Sequence, residues 1–264
     1  MTQRWPSESI WEAVVPTLPG FTIEVLPQID STNTELMRRA KAGQLDPILL
    51  VAETQTAGRG RLGRDWYSDA TDQVALPLMF SLGLAMAPGS WSGLSLAVGV
   101  SIAQSLHPDL RLKWPNDVWL NDRKLGGILI ETASFGDVRY VVIGVGLNIG
   151  PREALGLSTP PAWLQELLPS SSDAPSALQA IIWPLVQALH RFESGGFASF
   201  QTQFNALDAL MGRTIALSDG MTGLARGVDA SGALLVQTAV GVQKITSSEV
   251  SVRPAPSTST GLPC

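Results

Sequence analysis

Three arginines alternate with glycines in one short stretch of this 264-residue chain, QTAGRGRLGRDW, which runs from Gln55 to Trp66. Glycine lets consecutive backbone amides converge on an anion, and arginine offers planar, permanently charged groups that match the oxygens of phosphates and carboxylates. Arg59, Arg61 and Arg64 therefore form a local positive island. We expect this loop to bind an anion, and the alternative is a solvated connection with scattered charge.

The glycines of this loop, Gly58, Gly60 and Gly63, also fit the G-x-G-x-x-G spacing of dinucleotide-binding proteins. Such a site requires a helix after the glycines and an acidic residue about twenty residues further on, which binds the ribose hydroxyls. The segment after Gly63 is polar and then strand-like, and no Asp or Glu occurs between Asp72 and Asp109. The sequence therefore argues against a nicotinamide or flavin site.

A second concentration of polar residues lies in RLKWPNDVWLNDRKLGGILIE, residues 111–131. If RLKW is a strand, Lys113 faces the opposite side of the sheet from the apolar residues on either side of it. Pro115 ends the backbone pairing, which leaves the oxygens of Asn116 and Asp117 exposed at a bend. A lysine beside such oxygens can hold a phosphate next to a magnesium ion. A surface lysine beside an ordinary turn explains the same residues, and spacing alone does not decide between the two.

The composition argues against several classes of protein. The chain carries a formal net charge of −5, which disfavours a general nucleic-acid binder with a basic face. Its one cysteine, Cys264, excludes a disulfide framework, and His107 and His190 match no zinc spacing. No signal pattern opens the chain, and the weakly polar run over residues 93–106 is too short for a bilayer. We expect a cytoplasmic protein with no nucleic-acid or membrane partner.

The elements that must position these clusters follow from apolar periodicity. IDSTNTELMRRAKAG predicts a strand end and then a helix, with Thr32 and Glu35 as a capping box and Gly43 at the far end. PILLVAETQ, residues 47–55, predicts a buried strand that leads into the arginine loop. Apolar residues at helical spacing over residues 94–106 predict a second helix.

Three strands are predicted next, RLKWP, DVWL and KLGGILIETAS, and DVRYVVIGVGLNIG follows as a fourth, with hairpin turns at Asn121–Asp122 and Gly136–Asp137. Strands joined by hairpins favour a mainly antiparallel or mixed sheet. Two helical segments follow, the first of which we expect Pro184 to kink. After Gly212 the pattern changes to short strands separated by glycines, which is typical of a small barrel.

Together, STN at residues 31–33, QTAGRGRLGRDW and KWPNDVWLNDRKLGGILIE resemble the biotin–protein ligase family, and GVGLNIG at residues 144–150 matches the strand that follows. The resemblance implies an α+β fold, in which helices flank a mixed sheet like that of class II aminoacyl-tRNA synthetases, with a small C-terminal SH3-like β-barrel. It predicts an N-terminal extension over residues 1–20, a catalytic domain over 21–211, the barrel over 212–254 and a disordered tail over 255–264.

The resemblance also implies a two-step reaction. Biotin and Mg²⁺–ATP give biotinyl-5′-adenylate, and a lysine of a carrier protein then attacks this mixed anhydride. The expected partner is the biotin carboxyl carrier domain of acetyl-CoA carboxylase, and the enzyme is expected to be a monomer or a homodimer. The short N-terminal extension favours a ligase without a DNA-binding domain. The alternatives are a lipoate–protein ligase and a non-catalytic protein that binds biotin or the carrier.

The same resemblance assigns roles to individual residues. Lys113, Arg59 and Arg61 are the expected catalytic residues, which neutralise the charge of the biotin carboxylate and the α-phosphate. Because Thr32 is assigned to the helix cap, Ser31 is the better candidate for contact with the biotin ring. The residues expected to bind biotin are Ser31, Thr32, Asn33, Gln55, Arg59, Gly60, Arg61, Lys113, Gly126 and Gly127. Those expected at the nucleotide are Arg61, Arg64, Trp66, Lys113 and Asn148, and Asn116 and Asp117 are the candidates for magnesium.

Overall fold

The described helices and strands in the first part of the chain build a single large sheet with its covering helices. A computed structural model describes residues 3–66, 75–152, 159–168, 172–246 and 252–254. The tail expected over residues 255–264 lies outside these ranges. The elements up to residue 147 are α1 (Ser7–Val14), β1 (Thr22–Ile29), α2 (Thr32–Lys41), β2 (Ile48–Gln55), β3 (Leu78–Ala85), α3 (Leu94–Leu106), β4 (Arg111–Lys113), β5 (Asp117–Leu120), β6 (Arg123–Phe135) and β7 (Val138–Leu147).

The seven strands form one sheet in the order β1-β2-β3-β7-β6-β5-β4. β1 and β2 are parallel, and all the other neighbours are antiparallel. The predicted mixed sheet is therefore confirmed. Asn121 and Asp122 join β5 to β6 with φ angles of 48° and 60°. Two successive positive φ angles give a turn whose twist matches the flanking strands, and Asn and Asp tolerate that backbone conformation well.

The sheet is buried on both faces, because successive residues of β2 contribute to two separate cores. Leu49 and Val51 belong to the larger core, which includes α1, α3 and a later helix over residues 174–195. Leu50 belongs to a smaller core with Leu36 and Ala40 of α2. The continuous apolar run of β2 agrees with burial of a strand between two helical layers. The start of α2 consequently lies across the sheet from α3, next to the end of β2.

The C-terminal part begins with two helices, α4 (Ala174–Gly195) and α5 (Gln201–Leu207). Pro184 lies inside α4, and the helix continues through it. Five strands follow and form an antiparallel sheet in the order β11-β10-β9-β8-β12. Their bounds are β8 (Thr214–Leu217), β9 (Thr222–Val228), β10 (Leu234–Thr238), β11 (Gly241–Ile245) and β12 (Val252–Pro254). The small all-strand unit predicted after Gly212 is confirmed.

The small sheet packs against the large one through buried and polar contacts. The Trp114 side chain is 1% exposed, and its Nε1 donates to the carbonyl oxygen of Gly232 at 3.1 Å. The Ser92 hydroxyl donates to the Ser231 carbonyl oxygen at 2.6 Å. These contacts join the turn between β9 and β10 to Trp114 at the end of β4 and to Ser92 before α3, close to the second predicted cluster. None of the helices in the described ranges has the length and apolar content needed to cross a lipid bilayer.

Candidate functional site

A cavity of about 380 Å³ lies where the start of α2, the end of β2, the arginine loop and the β4–β5 bend meet. Its walls also include residues of β6, β7 and β12. The structure brings together almost all of the predicted site residues around this cavity: Ser31, Thr32, Asn33, Gln55, Arg59, Gly60, Arg61, Arg64, Trp66, Lys113, Asn116, Asp117, Gly127 and Asn148. The two clusters that stand far apart in the sequence therefore form one site.

Gly126 is the predicted site residue that does not line the cavity. A Cβ added at Gly126 would lie 2.3 Å from the Leu147 side chain, whereas one added at Gly127 would lie 3.7 Å from the Trp66 ring. Successive residues of a strand face opposite sides of the sheet, and Gly127 is the one on the cavity side. Gly126 instead permits β6 to approach β7 closely.

The first turn of α2 forms the polar end of the cavity. Its N-cap is Ser31, whose hydroxyl accepts a hydrogen bond from the Thr34 amide at 3.4 Å. The prediction that Thr32 caps the helix was therefore wrong by one residue, because the helix begins at Thr32 itself. The Thr32 amide donates to the Gln55 side-chain oxygen at 2.7 Å. This bond ties the end of β2 to the start of α2.

Behind these residues lies a buried hydroxyl that the sequence analysis missed. Ser81 of β3 is fully buried, and its oxygen lies 2.7 Å from the Thr32 hydroxyl and 2.6 Å from Asn33 Oδ1. Asn33 Oδ1 can only accept, so the single hydrogen of Ser81 lies on that bond. The one hydrogen of the Thr32 hydroxyl is shared between two acceptors, Ser81 and the Gln55 side-chain oxygen at 3.1 Å. The available signal was a lone serine in the otherwise apolar strand LMFSLGL.

The middle of the cavity is flat and largely apolar. The Trp66 indole lies directly on Gly146, where an added Cβ would be 2.5 Å from the ring. Phe80, Ile128 and Val145 complete this part of the wall. Within the part of the chain that the structure describes, the buried Nε1 of Trp66 has no hydrogen-bond partner. The arrangement suits a flat, mostly apolar ligand segment.

The other end of the cavity concentrates positive charge around one carboxylate. Asp117 Oδ1 lies 2.7 Å from Lys124 Nζ, and Asp117 Oδ2 lies 3.9 Å from Lys113 Nζ. Burial lowers the pKa of Lys113, and the nearby Asp117 opposes that shift. Burial likewise lowers the pKa of Arg61, again opposed by Asp117. Arginines and lysines outnumber Asp65 and Asp117, the two carboxylates of the cavity lining, so this end of the cavity attracts anions.

Three further cations of this end were missed by the sequence analysis: Lys124, Arg152 and Arg253. Lys124 illustrates the reason. Strand alternation counted back from Gly127 puts Lys124 on the face away from the cavity. The pairing of β5 with β6 shifts between Val118 and Trp119, so that an extra residue of β6 reverses the alternation. This bulge turns Lys124 into the cavity.

The arginine loop is folded back by hydrogen bonds between its own backbone groups. A single 3₁₀ turn covers Arg61–Gly63, and the Gly60 amide donates to the Arg64 carbonyl oxygen at 2.7 Å. The Trp66 amide closes the loop with a 2.9 Å bond to the Gly58 carbonyl oxygen. These bonds turn the loop back on itself over the cavity.

Asn116 and Asp117, the predicted magnesium candidates, do not fit a resident metal ion in this arrangement. Asp117 is already paired with two lysines, and the Asn116 side chain donates to the Ile128 carbonyl oxygen at 2.8 Å. Arg61 Nη1 lies 3.4 Å from Asn116 Oδ1. A magnesium ion requires several hard oxygen ligands with little competing positive charge. Across the described ranges, no group of three or more His, Cys, Asp or Glu side chains could hold a metal.

Two stretches of the chain match known protein families. Residues 25–148 match the Biotin/lipoate A/B protein ligase family, and residues 212–253 match the Biotin protein ligase C terminal domain. The chain is 36% identical over 251 residues to the bifunctional ligase/repressor BirA of Escherichia coli (strain K12), a match that covers 90% of this chain and 76% of BirA. It is 31% identical over 237 residues to the biotin–[acetyl-CoA-carboxylase] ligase of Paracoccus denitrificans, which covers 86% of this chain and 98% of that enzyme.

Among solved structures, the chain resembles a biotin protein ligase from Aquifex aeolicus in complex with biotin and ATP. The two share 28% sequence identity with a TM-score of 0.73, over 88% of this chain and 99% of the other. Both the sequence matches and the shared fold extend over the large sheet and the small C-terminal unit. The chain belongs to the biotin protein ligase family.

Proposed function

We propose that this chain is an ATP-dependent biotin–protein ligase. One observation carries the proposal: a single cavity joins a buried polar end, an apolar middle and a strongly cationic end. Biotin has a polar ureido ring, an apolar chain and a terminal carboxylate in that order, and the carboxylate must meet the triphosphate of ATP. Along the length of the cavity, the polar, apolar and cationic parts come in the same order as the ureido ring, the chain and the carboxylate of biotin, with ATP at the cationic end.

At the polar end, we assign recognition of the ureido ring to Ser31, Thr32 and Gln55. Their hydroxyl, amide and carboxamide groups lie in a mostly buried setting, where an unpaired polar group of a wrong ligand is costly. Asn33 supports this end through its bond with Ser81. Gly127 and Trp66 are assigned to the apolar middle, along the rings and chain of biotin.

At the cationic end, the first reaction step requires two negative groups to approach each other. An oxygen of the biotin carboxylate attacks the α-phosphorus of ATP, and the bond from that phosphorus to the bridging oxygen of pyrophosphate breaks. We assign Arg59, Arg61 and Gly60 to the carboxylate, Lys113 and Lys124 to the α-phosphate, and Arg64 to the departing phosphates. Fixed cations lower the barrier because the negative charge on the oxygens grows in the transition state.

Magnesium enters this proposal as part of the substrate Mg²⁺–ATP. Its charge would offset part of the triphosphate charge, as in other phosphate-transfer sites. We also assign Asn148 to the nucleotide, since its amide joins the Lys124 backbone to residue 162 at the cavity wall. The catalytic work lies within residues 21–211, after the extension over 1–20, and residues 212–254 add Arg253 to the cavity wall.

In the second step, the amine of a carrier lysine attacks the acyl carbon of biotinyl-5′-adenylate. The new C–N bond forms as the C–O bond to the phosphate breaks, and AMP leaves. This step requires proximity and protection from water more than an enzyme nucleophile. We propose the biotin carboxyl carrier domain of acetyl-CoA carboxylase as the acceptor. A cytoplasmic location, a monomeric or homodimeric state and the lack of a nucleic-acid partner stay predictions.

Carrier labelling tests the proposed function directly. The protein is incubated with Mg²⁺–ATP, a biotin carboxyl carrier domain and either biotin or lipoate, and the acylated carrier is measured by intact mass. We expect a mass increase of one biotinyl group that requires ATP, with little or no labelling by lipoate. Labelling by lipoate on a lipoyl carrier would instead assign the protein to lipoate transfer. Tight binding of biotin without any adenylate or labelled carrier would contradict catalysis.

A further inference from the structure

Glu131 at the cavity edge contacts Arg59, an arginine that lines the cavity. Glu131 Oε1 lies 3.2 Å from Arg59 Nη1. The Glu131 side chain is 23% exposed and that of Arg59 is 50% exposed. The same nitrogen of Arg59 lies 3.4 Å from the Thr34 hydroxyl. Arg59 lines the cavity, but its Nη1 contacts two residues outside the lining, Glu131 and Thr34.

The second carboxylate oxygen of Glu131 is fixed from the buried side. Asn33 Nδ2 donates to Glu131 Oε2 at 2.9 Å, and Asn33 is only 3% exposed. Each oxygen of the carboxylate thus has its own donor, one buried and one in the arginine loop. A carboxylate that is held by a hydrogen bond at one oxygen and by an ion pair at the other has little freedom to rotate, so it presents a fixed partner to Arg59.

The orientation of Asn33 is itself determined by its surroundings. Its Oδ1 accepts from the Ser81 hydroxyl at 2.6 Å. Its carboxamide also lies directly above Gly144, where an added Cβ would be 2.1 Å from Oδ1. A continuous chain of contacts consequently runs from Thr32 through Ser81, Asn33 and Glu131 to the arginine loop.

We propose that Glu131 is a positioning residue for Arg59. By bonding one nitrogen of the guanidinium, Glu131 leaves the other N–H groups directed toward the carboxylate of biotin. A guanidinium has five N–H donors, so one fixed contact still leaves donors for a ligand. Fixing the side chain in advance also reduces the rotamer entropy that Arg59 loses when biotin binds. The inference rests on the proposed function, which assigns Arg59 to that carboxylate.

A double-mutant cycle tests the proposal. The variants are Glu131→Gln, Arg59→Ala and the two combined, and the measurement is biotin-dependent exchange of pyrophosphate into ATP. We expect Glu131→Gln to raise the KM for biotin about fivefold, the size of one partly exposed charged contact, with kcat within about twofold. In the Arg59→Ala background, the same change should leave the KM within about twofold. Glu24→Gln is the matched control, because it removes an ion pair between Glu24 of β1 and Arg39 of α2, neither of which lines the cavity.

Three outcomes overturn the inference. One is an unchanged KM for biotin in Glu131→Gln, and another is a KM effect of full size in the Arg59→Ala background. A third is a loss of kcat and thermal stability with an unchanged KM, which would indicate a purely structural role. An Arg59→Ala variant with normal KM, or a wild-type protein without biotin-dependent exchange, would instead contradict the proposed function. The two failures are therefore distinguishable.

Discussion

Arg61 combines a permanent charge with a position that is partly removed from water. Burial lowers the pKa of its guanidinium, and the Asp117 charge opposes this effect. Its Nη1 lies 3.4 Å from Asn116 Oδ1 at the cationic end of the cavity. A partly desolvated arginine interacts with an anionic intermediate more strongly than a solvated one. We therefore expect Arg61 to retain biotinyl-5′-adenylate in the cavity.

Arg61→Gly should release the adenylate and label lysines on unrelated proteins. We expect the rate of adenylate release to rise at least about tenfold, since a charge-assisted hydrogen bond contributes about 1.5–3 kcal/mol. Filter binding of radiolabelled adenylate measures the release, and labelling of serum albumin measures the loss of selectivity. Arg4→Gly is the control, because Arg4 is exposed and lies outside the cavity. Normal retention and normal carrier selectivity in Arg61→Gly would exclude this role.

Single residues differ in how far the sequence alone could predict them. The arginines and Lys113 stand in motifs with evident charge, and the structure brings them to one cavity. Ser81 lies far from these motifs in the sequence, and Glu131 is the last residue of the second motif, where it follows an apolar run. Their importance arises only when the sheet places them beside Asn33. The spacing of residues in the sequence does not predict which side chains meet across the sheet.

At the scale of elements, the first turn of α2 has both a structural and a binding role. Ser31 caps the helix, and Asp173 caps α4 in the same way by accepting from the Ser176 amide at 2.8 Å. Replacing either residue by alanine should lower the free energy of unfolding by about 1 kcal/mol, measured by chemical denaturation. Only Ser31→Ala should also weaken biotin binding, because Asp173 does not line the cavity.

Two results would contradict this account of the α2 cap. An unchanged free energy of unfolding in Ser31→Ala would mean that the long 3.4 Å bond to Thr34 does not stabilise the helix. Equal losses of biotin affinity in Ser31→Ala and Asp173→Ala would show that the binding effect comes from general destabilisation. Isothermal titration with biotin separates the two cases.

Most elements were predictable because each had a local signal. The Asn121–Asp122 turn has the residue types that its positive φ angles require, and β2 has a continuous apolar run. The helix cap was predicted wrongly because two neighbouring residues satisfy the same local rule. Thr32 and Ser31 are both acceptable caps, and only the backbone geometry distinguishes them. The bulge in β6 has no clear local signal, so strand alternation alone could not have placed Lys124 on the cavity face.

At the scale of the whole molecule, Asp208 lies at the junction between the large sheet and the C-terminal unit. Its Oδ1 accepts from the Leu210 amide at 2.9 Å, and the neighbouring Ala209 amide donates to the Leu112 carbonyl oxygen. The buried Oδ2 has no hydrogen-bond partner among the described residues. Burial raises the pKa of Asp208 to about 6, while the bond from Leu210 opposes the shift.

Because folding raises the pKa of Asp208, we expect the free energy of unfolding to fall as the pH rises. The folded protein binds the Asp208 proton more tightly than the unfolded chain, so stability decreases from about pH 4 to about pH 6 and is then constant. Asp208→Asn retains an acceptor for Leu210 and removes the charge. We expect the variant to gain about 3 kcal/mol relative to the wild type between pH 4 and pH 7, measured by chemical denaturation.

Asp137→Asn, at an exposed turn between β6 and β7, is the control for that comparison. A stability difference between Asp208→Asn and the wild type that does not change with pH would mean that Asp208 is not held in its protonated form. A gain at pH 7 that Asp137→Asn reproduces would assign the effect to net charge instead.

The strand order of the large sheet explains why site residues from separate parts of the sequence meet at one cavity. Its strand order brings the end of β2, the β4–β5 bend and the middle of β6 and β7 to one cavity, and β12 completes the wall from the C-terminal unit. The mixed sheet was predictable from hairpin signals, and the short C-terminal strands were predictable from the change in pattern after Gly212. The contribution of Arg253 was not, because no local signal indicates which face of the small sheet meets the cavity.

Biotin-dependent exchange of radiolabelled pyrophosphate into ATP tests most directly the claim that the cationic end lets two anions react. The wild type should catalyse exchange, and Lys113→Ala and Lys124→Ala should each lower kcat by about a hundred- to a thousandfold. Lys41→Ala, an exposed lysine at the end of α2, should behave as the wild type. Exchange at near-normal rates in both cavity variants would contradict the account.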